Sequence, residues 1–260
     1  MIKPGTQKIV VFLIILVTCI YTGCTGITKP ASFYLLSPLP DVEKPMTIES
    51  AQNTPLITIG PVTLPAYLDR LQMITRKGDN ELVLSEFHRW AESLEDNFYR
   101  VLMENLSLLL HTIDITTYPK SKAPQAEFQI IINVTRFDVD SRGNALLIAY
   151  WHVLGNDGSK VLMRKKSVFS FKGKSGNYES TIAALNKTLA ALSHEISAAI
   201  HSIKNSTALV PCTDPRPDVC TQNYDPVCGL NQNRQQKTYS NACRACSEKE
   251  VVGYRKGSCP

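Results

Sequence analysis

No cysteine lies between residues 25 and 211, although the 260-residue chain contains eight. That gap excludes a disulfide framework for most of the chain, and it sets the cysteine-rich end apart. A membrane-spanning run is also missing. The most apolar stretch, residues 9–21, is thirteen residues long, where a helix needs about 20 to cross a bilayer core. Charge of one sign is scarce: the net charge is +5, and Lys3 and Lys8 supply two of those positive charges. A dedicated nucleic-acid binder is therefore not indicated.

Catalytic patterns are equally scarce. Gly173-Lys174-Ser175 has the tail of a phosphate-binding loop, but Val168 stands where the first glycine would be required. His194 and His201 are seven apart on one expected helix, about 10 Å by helix rise, too far to share one metal unaided. His88 and His152 have no partner visible in the sequence, and no serine sits in a nucleophile elbow. Asn105, Asn133, Asn186 and Asn205 each begin an Asn-x-Ser/Thr triplet, a pattern too short to mean much by itself. The expectation is a protein that is not an enzyme and takes no cofactor or metal.

Two lysines ahead of a short apolar run form the first two parts of an export signal. Thr22-Gly23-Cys24 follows, then the polar residues 25–32. This resembles a lipobox, with Tyr21 where leucine is usual; Cys19 is the rival, but a cut there would leave apolar residues behind. The resemblance implies a signal peptide over residues 1–23, acylation of Cys24, and a tether over 24–31. Thr25, in place of a retaining aspartate, implies the periplasmic face of the outer membrane. Each buried methylene of an acyl chain contributes about 0.8 kcal/mol to anchoring. The polar stretch reaches at most ~28 Å.

From residue 32 to 203 the pattern is α+β. Short strands are expected at 33–36 and 56–59, and a hairpin turns at Gly78-Asp79-Asn80 between 71–75 and 81–85. A helix is expected over 92–110, with Leu94, Phe98, Val101, Leu102, Leu106 and Leu109 along one face. Three antiparallel strands follow at 127–138, 145–154 and 160–171. A last helix repeats Ile182, Leu185, Leu189, Leu192, Ile196, Ile200 and Ile203 at spacings of three or four. The expected architecture is an antiparallel sheet packed by two long helices, with a polar linker at 204–211 leading to a small disulfide-rich domain at 212–260.

Phe33-Tyr34-Leu35-Leu36, Ile59-Gly60-Pro61-Val62 through Leu68-Asp69-Arg70, and Trp90-Ala91-Glu92-Ser93-Leu94 occur in that order. They resemble the paraquat-inducible C-type lipoproteins, also called ABC-type transport auxiliary lipoproteins, over roughly residues 24–203. The resemblance implies a partner, an MCE-domain protein bridging the periplasm, and traffic of lipids or hydrophobic compounds between membranes. It also leaves room for association with further copies of the chain. The competing expectation is a free-standing, membrane-tethered protease inhibitor whose main domain is only a scaffold.

Cys212, Cys220, Cys228, Cys243, Cys246 and Cys259 crowd into 48 residues, too few to build a sufficient apolar core. Six cysteines allow fifteen pairings. Cys243 and Cys246 have the spacing of zinc ligands, but an exported chain meets an oxidising compartment, which favours disulfides.

The run from Cys220 through Tyr224, Val227 and Cys228-Gly229, then Lys237-Thr238-Tyr239-Ser240-Asn241-Ala242-Cys243, resembles a Kazal-type serine protease inhibitor. That resemblance implies the pairs Cys212–Cys246, Cys220–Cys243 and Cys228–Cys259. It implies a reactive bond between Gln222 and Asn223, with Thr221, Tyr224, Tyr239 and Asn241 supporting the loop. Fourteen residues separate Cys228 from Cys243, more than the family's usual number, and the surplus around 231–236 is expected to lengthen a hairpin away from the loop. Gln222 argues against trypsin-like targets, because a neutral amide would leave the carboxylate in such a pocket uncompensated.

Overall fold

A computed structural model describes residues 29–40, 55–118, 126–155, 158 and 160–259. The leader, Cys24 and most of the tether lie outside the described residues.

The main domain is α+β. Its strands are β1 (Ser32–Tyr34), β2 (Ile57–Thr63), β3 (Gln72–Lys77), β4 (Glu81–Trp90), β5 (Ile115–Thr117), β6 (Phe128–Asp140), β7 (Ala145–Gly155) and β8 (Val161–Phe171). Helix α1 (Leu94–Leu110) follows β4, and α2 (Tyr178–Thr207) follows β8. The sheet is mixed. β6, β7 and β8 form an antiparallel meander, and β3 pairs antiparallel with β4. β2 runs parallel to both β5 and β6, β1 parallel to β4, and β3 parallel to the end of β6. Parallel pairing requires a crossover, and α1 supplies the one that carries the chain from β4 to β5.

β6 is the axis of the sheet. β7 lines its whole length on one side, while β2 and β3 share the other. Alternation then fixes the core: Phe128, Ile130, Ile132 and Val134 on β6, and Leu147, Ala149, Trp151 and Val153 on β7, are buried beneath the helices. Phe98 of α1 meets Phe137 of β6 edge to face, with ring centroids 5.2 Å apart. The other sheet face carries half-buried Ile131, Leu146, Ile148 and His152, and no helix among the described residues covers it.

Both helices start on a side-chain cap. Ser93 accepts from the Asp96 amide at 3.5 Å, so α1 begins two residues later than the periodicity predicts, with Glu95 and Asp96 in the favourable first turn. Asn177 accepts from the Ser180 amide at 2.8 Å. The interior hydroxyls of α2 bond back into their own helix, Thr188 to the Leu185 carbonyl and Ser193 to the Leu189 carbonyl, both at 2.8 Å. Gly173 is a packing residue: a Cβ there would lie 2.3 Å from the Gly143 carbonyl oxygen. His194 and His201 are solvent-exposed.

Two polar clusters tie elements of the main domain together, one within the sheet and one between the sheet and α2. The Asp138 carboxylate, fully buried, receives Arg76 (2.8 Å), Arg136 (2.9 Å) and the Tyr67 hydroxyl (2.9 Å). Burial first, and the Asp138 charge second, push the Tyr67 hydroxyl up to about 12. On the other side, the Trp151 indole donates to Ser167 at 2.8 Å, Ser167 donates to Glu195, and Lys165 meets Glu195 at 2.6 Å. His88 also finds its partners here, stacking on Tyr178 at 3.6 Å and bonding the Tyr34 hydroxyl at 2.8 Å.

After β1 the chain runs across both helices instead of continuing as strand. Three asparagine side chains accept its backbone amides: Asn97 from Leu36 (2.6 Å), Asn186 from Ser37 (3.2 Å) and Asn105 from Leu39 (2.7 Å). Two of these, Asn105 and Asn186, begin Asn-x-Ser/Thr triplets and here serve as clasps.

The small domain holds a second sheet, in the order β11-β10-β12-β9. Its strands are β9 (Val210–Pro211), β10 (Val227–Asn231), β11 (Gln236–Tyr239) and β12 (Val251–Lys256), with the one-and-a-half-turn helix α3 (Ala242–Ser247) between β11 and β12. Segment 204–211, expected as a polar linker, is structured: α2 continues to Thr207, and Val210 and Pro211 pair with Tyr254 and Gly253. α2 keeps its helical bonding through a polar last turn, where the Ala208 amide donates to the Lys204 carbonyl at 2.9 Å, and the Val210-Pro211 pair ahead of Cys212 completes the second sheet.

Candidate functional site: a loop pinned between disulfides

Three disulfides join Cys212 to Cys246, Cys220 to Cys243 and Cys228 to Cys259. Cys243 and Cys246, three residues apart on α3, are thus bonded to different partners. Among the described residues no group of three or more His, Cys, Asp or Glu is arranged to hold a metal ion.

Residues 221–226, between Cys220 and the start of β10, have no regular secondary structure, and 221–225 are all exposed. Such a segment keeps one shape only if its backbone is tied from outside. Asn241 supplies that tie. It is 4% exposed, and its Nδ2 donates to the Thr221 carbonyl at 3.0 Å and the Asn223 carbonyl at 2.9 Å. Its Oδ1 accepts from the Arg244 amide at 2.9 Å, so the same side chain caps α3. Gln222 lies between the two clasped carbonyls, and its side chain faces solvent. The Thr221 hydroxyl bonds the Asn223 side chain across it. Past the bond, the Asp225 amide donates to the Ser240 carbonyl at 2.9 Å.

The two tyrosines differ from each other. Tyr239 packs into the small core, its ring so close over Gly229 that a Cβ there would lie 2.6 Å from it. It therefore supports the sheet beneath the loop. Tyr224, expected as a brace, is 78% exposed. Nothing covers a ring that far from the module's body, so it is displayed and not bracing. The surplus residues make the β10–β11 turn, where the Asn231 carboxamide accepts from the Gln235 amide at 2.8 Å. This tip is at the opposite end of the hairpin from Val227 and Tyr239, beside the loop. Sequence reading missed Arg216, which donates to the Val251 carbonyl at 2.8 Å and the Cys246 carbonyl at 3.1 Å and so ties the first loop to α3 and β12. An exposed-looking Asp-Pro-Arg-Pro run gives no signal for that role.

A mixed sheet under two helices is thus followed by a separate three-disulfide module that presents a clasped, solvent-facing loop. Residues 34–197 match the family model described as the ABC-type transport auxiliary lipoprotein component, and the chain belongs to that family. Residues 212–255 match the Kazal-type serine protease inhibitor domain. No curated protein matches the chain. Among solved structures it is similar to protein XCC0632 from Xanthomonas campestris, at 15% identity and a TM-score of 0.54 over 68% of this chain and 100% of that one. It is also similar to an uncharacterised protein, at 18% identity and a TM-score of 0.53 over 66% of this chain and 99% of that one. At such identities the likeness establishes the fold alone. Among the described residues no helix is long and apolar enough to cross a membrane.

Proposed function

We propose that this chain is a non-enzymatic lipoprotein, anchored by an acylated Cys24 to the periplasmic face of the outer membrane. Its main domain engages an MCE-domain protein in transport of lipids or hydrophobic compounds between membranes. Its C-terminal module inhibits a serine protease at the Gln222–Asn223 bond. The family match over residues 34–197 is the observation that carries the transport half. The inhibitor half rests on Asn241 clasping the carbonyls on both sides of Gln222.

The chemistry follows from that clasp. A loop already in its bound shape loses little ordering entropy when a protease takes it as substrate. If the bond after Gln222 is cut, the Asn223 amine stays in place through Asn241 and the Cys228–Cys259 bridge. Religation then competes with hydrolysis because the reacting groups remain together.

Crosslinking in cells, with residues 212–260 deleted, tests the transport half: an MCE-domain protein is the expected product, and recovery of none overturns it. Mass spectrometry of the mature protein tests the anchor, with an acylated Cys24 expected as the first residue. Gln222→Arg tests the loop, since it should create a better trypsin inhibitor; no gain would remove Gln222 from the reactive position.

A further inference from the structure

The sheet of the main domain has a helix-covered face and an open one, and the open face of β6, β7 and β8 has a composition of its own. Opposite residues of paired strands share a face, so the register sets Ile148 against Val168, Tyr150 against Lys166 and His152 against Arg164 on the open side. Val168 is 56% and Tyr150 43% exposed, with half-buried Leu146 and Ile148 beside them. The Lys166 ammonium lies over the Tyr150 ring, 5.4 Å from its centroid. Charge here has one sign. β7 and β8 contain no carboxylate. On β6, Asp138 is fully buried and bonded to Arg76, Arg136 and Tyr67, and Asp140 is held by Arg142 and Asn144. Arg164 and Lys166 are exposed and form no ion pair among the described residues, whereas Lys165 lies on the helix side and meets Glu195.

We propose that this open sheet face rests on an anionic phospholipid leaflet, with Tyr150 and Val168 at the headgroup boundary and Arg164 and Lys166 on lipid phosphates. The inference goes beyond the acyl anchor proposed above and rests on it only for proximity. The tether ends where β1 begins, and β1, β4, β3, β6, β7 and β8 follow one another across the sheet. Five strand spacings of about 4.8 Å make that ~24 Å, inside the ~28 Å that the tether spans. The face can therefore settle on the leaflet that holds the anchor. Its chemistry favours lipid over protein. Lysine is depleted at protein contacts, and here Lys166 stands amid the apolar residues. Tyrosine suits the headgroup layer because its ring is apolar and its hydroxyl polar. Arginine and lysine stems cover apolar surface while their charged ends reach outward to phosphates. Exposed Asn133, Thr135 and Ser170 frame the patch, so the contact is shallow and hydrated.

The test uses the chain from residue 24 onward carrying Cys24→Ser, so that no acyl group contributes. Its partition is measured by flotation with vesicles of phosphatidylethanolamine containing about a quarter phosphatidylglycerol. Binding to these vesicles is expected, weakening as salt is added and lost on phosphatidylcholine alone. Arg164→Glu and Lys166→Glu should each lower the partition coefficient about fivefold or more, and Lys187→Glu, an exposed change on α2 at the opposite face, should leave it within about twofold. Tyr150→Trp gives a local signal: brominated lipid should quench its fluorescence but not that of Trp90 and Trp151, which are buried. All four substituted side chains are exposed, and the thermal transition of each variant checks the fold. If the chain does not bind, if the three charge reversals weaken binding equally, or if Tyr150→Trp escapes quenching, the proposal is overturned. It is overturned too if Arg164→Glu and Lys166→Glu spare vesicle binding and abolish the crosslink to an MCE-domain protein, since the face would then dock protein. None of these results bears on the acyl anchor, which mass spectrometry of Cys24 decides separately.

Discussion

The main domain buries Trp151, Phe98 and Leu189 completely in one continuous apolar cluster, whereas the small domain buries a cluster of only Val227, Ala245 and Val251 and closes it with three disulfides. The large domain has no cysteine and the small one has six, within a single chain exposed to one environment. The contrast shows that size decides the means of stabilisation. A domain of some 170 residues buries enough apolar surface to offset its chain entropy, and one of about 50 does not. What the small domain gains in return is an exposed loop that keeps its shape without being packed. No slack separates the two modes, because α2 ends at Thr207 and β9 begins at Val210.

The strongest way to sharpen the contrast is reduction. The bridges close sequence separations of 34, 23 and 31 residues, each worth about 3–4 kcal/mol on chain-entropy grounds. Thiol reductant should unfold residues 212–259 and abolish inhibition while the main domain keeps its helical circular dichroism and thermal transition. Loss of both together would show that the domains fold as one unit.

The converse change is Leu189→Ala, which removes a fully buried side chain from the middle of α2 and should cost the main domain about 2–5 kcal/mol. Calorimetry should show a lower main transition, with protease inhibition unaltered at temperatures below it. A parallel fall in inhibition would mean that the helix transmits its loss of packing into β9.

A smaller effect concerns acid. Burial alone would raise the Asp140 carboxyl, but bonds from the Asn144 side chain and amide and the Arg142 amide outweigh it and hold the group below its ordinary value. Its stabilisation of the β6–β7 turn is therefore fully present above about pH 4 and is lost as the pH falls through the folded-state value. Amide exchange in the turn should quicken below that point, by an amount corresponding to about 1 kcal/mol or less. Asp140→Asn should remove the pH dependence.

Legibility differed along the same division. The cysteine spacing of the small domain was readable because covalent partners and the clasping asparagine sit at fixed distances along the chain. The long stripe of α2 was readable because packing repeats with the helix period. What periodicity could not show was pairing at a distance: that β6 would carry β2 and β3 along one side, or that Asn97, Asn105 and Asn186 would clasp residues 36–39. Those asparagines look like any polar residue on a helix until the strap lies across them. The exposure of Tyr224 was hidden for the same reason, since an aromatic residue in a loop reads equally well as brace or contact.

The amide of Asn241 cannot be turned end for end. Its nitrogen faces two carbonyl oxygens and its oxygen faces an N–H, so the shape of the loop is written into the polarity of one carboxamide. Asparagine side chains slowly hydrolyse to aspartate as proteins age. At this position the product would keep the oxygen that caps α3 and set a second, negatively charged oxygen against both loop carbonyls. An aspartate here would therefore leave the three disulfides in place and still loosen the hold on the bond the loop presents; burial and full hydrogen bonding of the Asn241 carboxamide oppose that change.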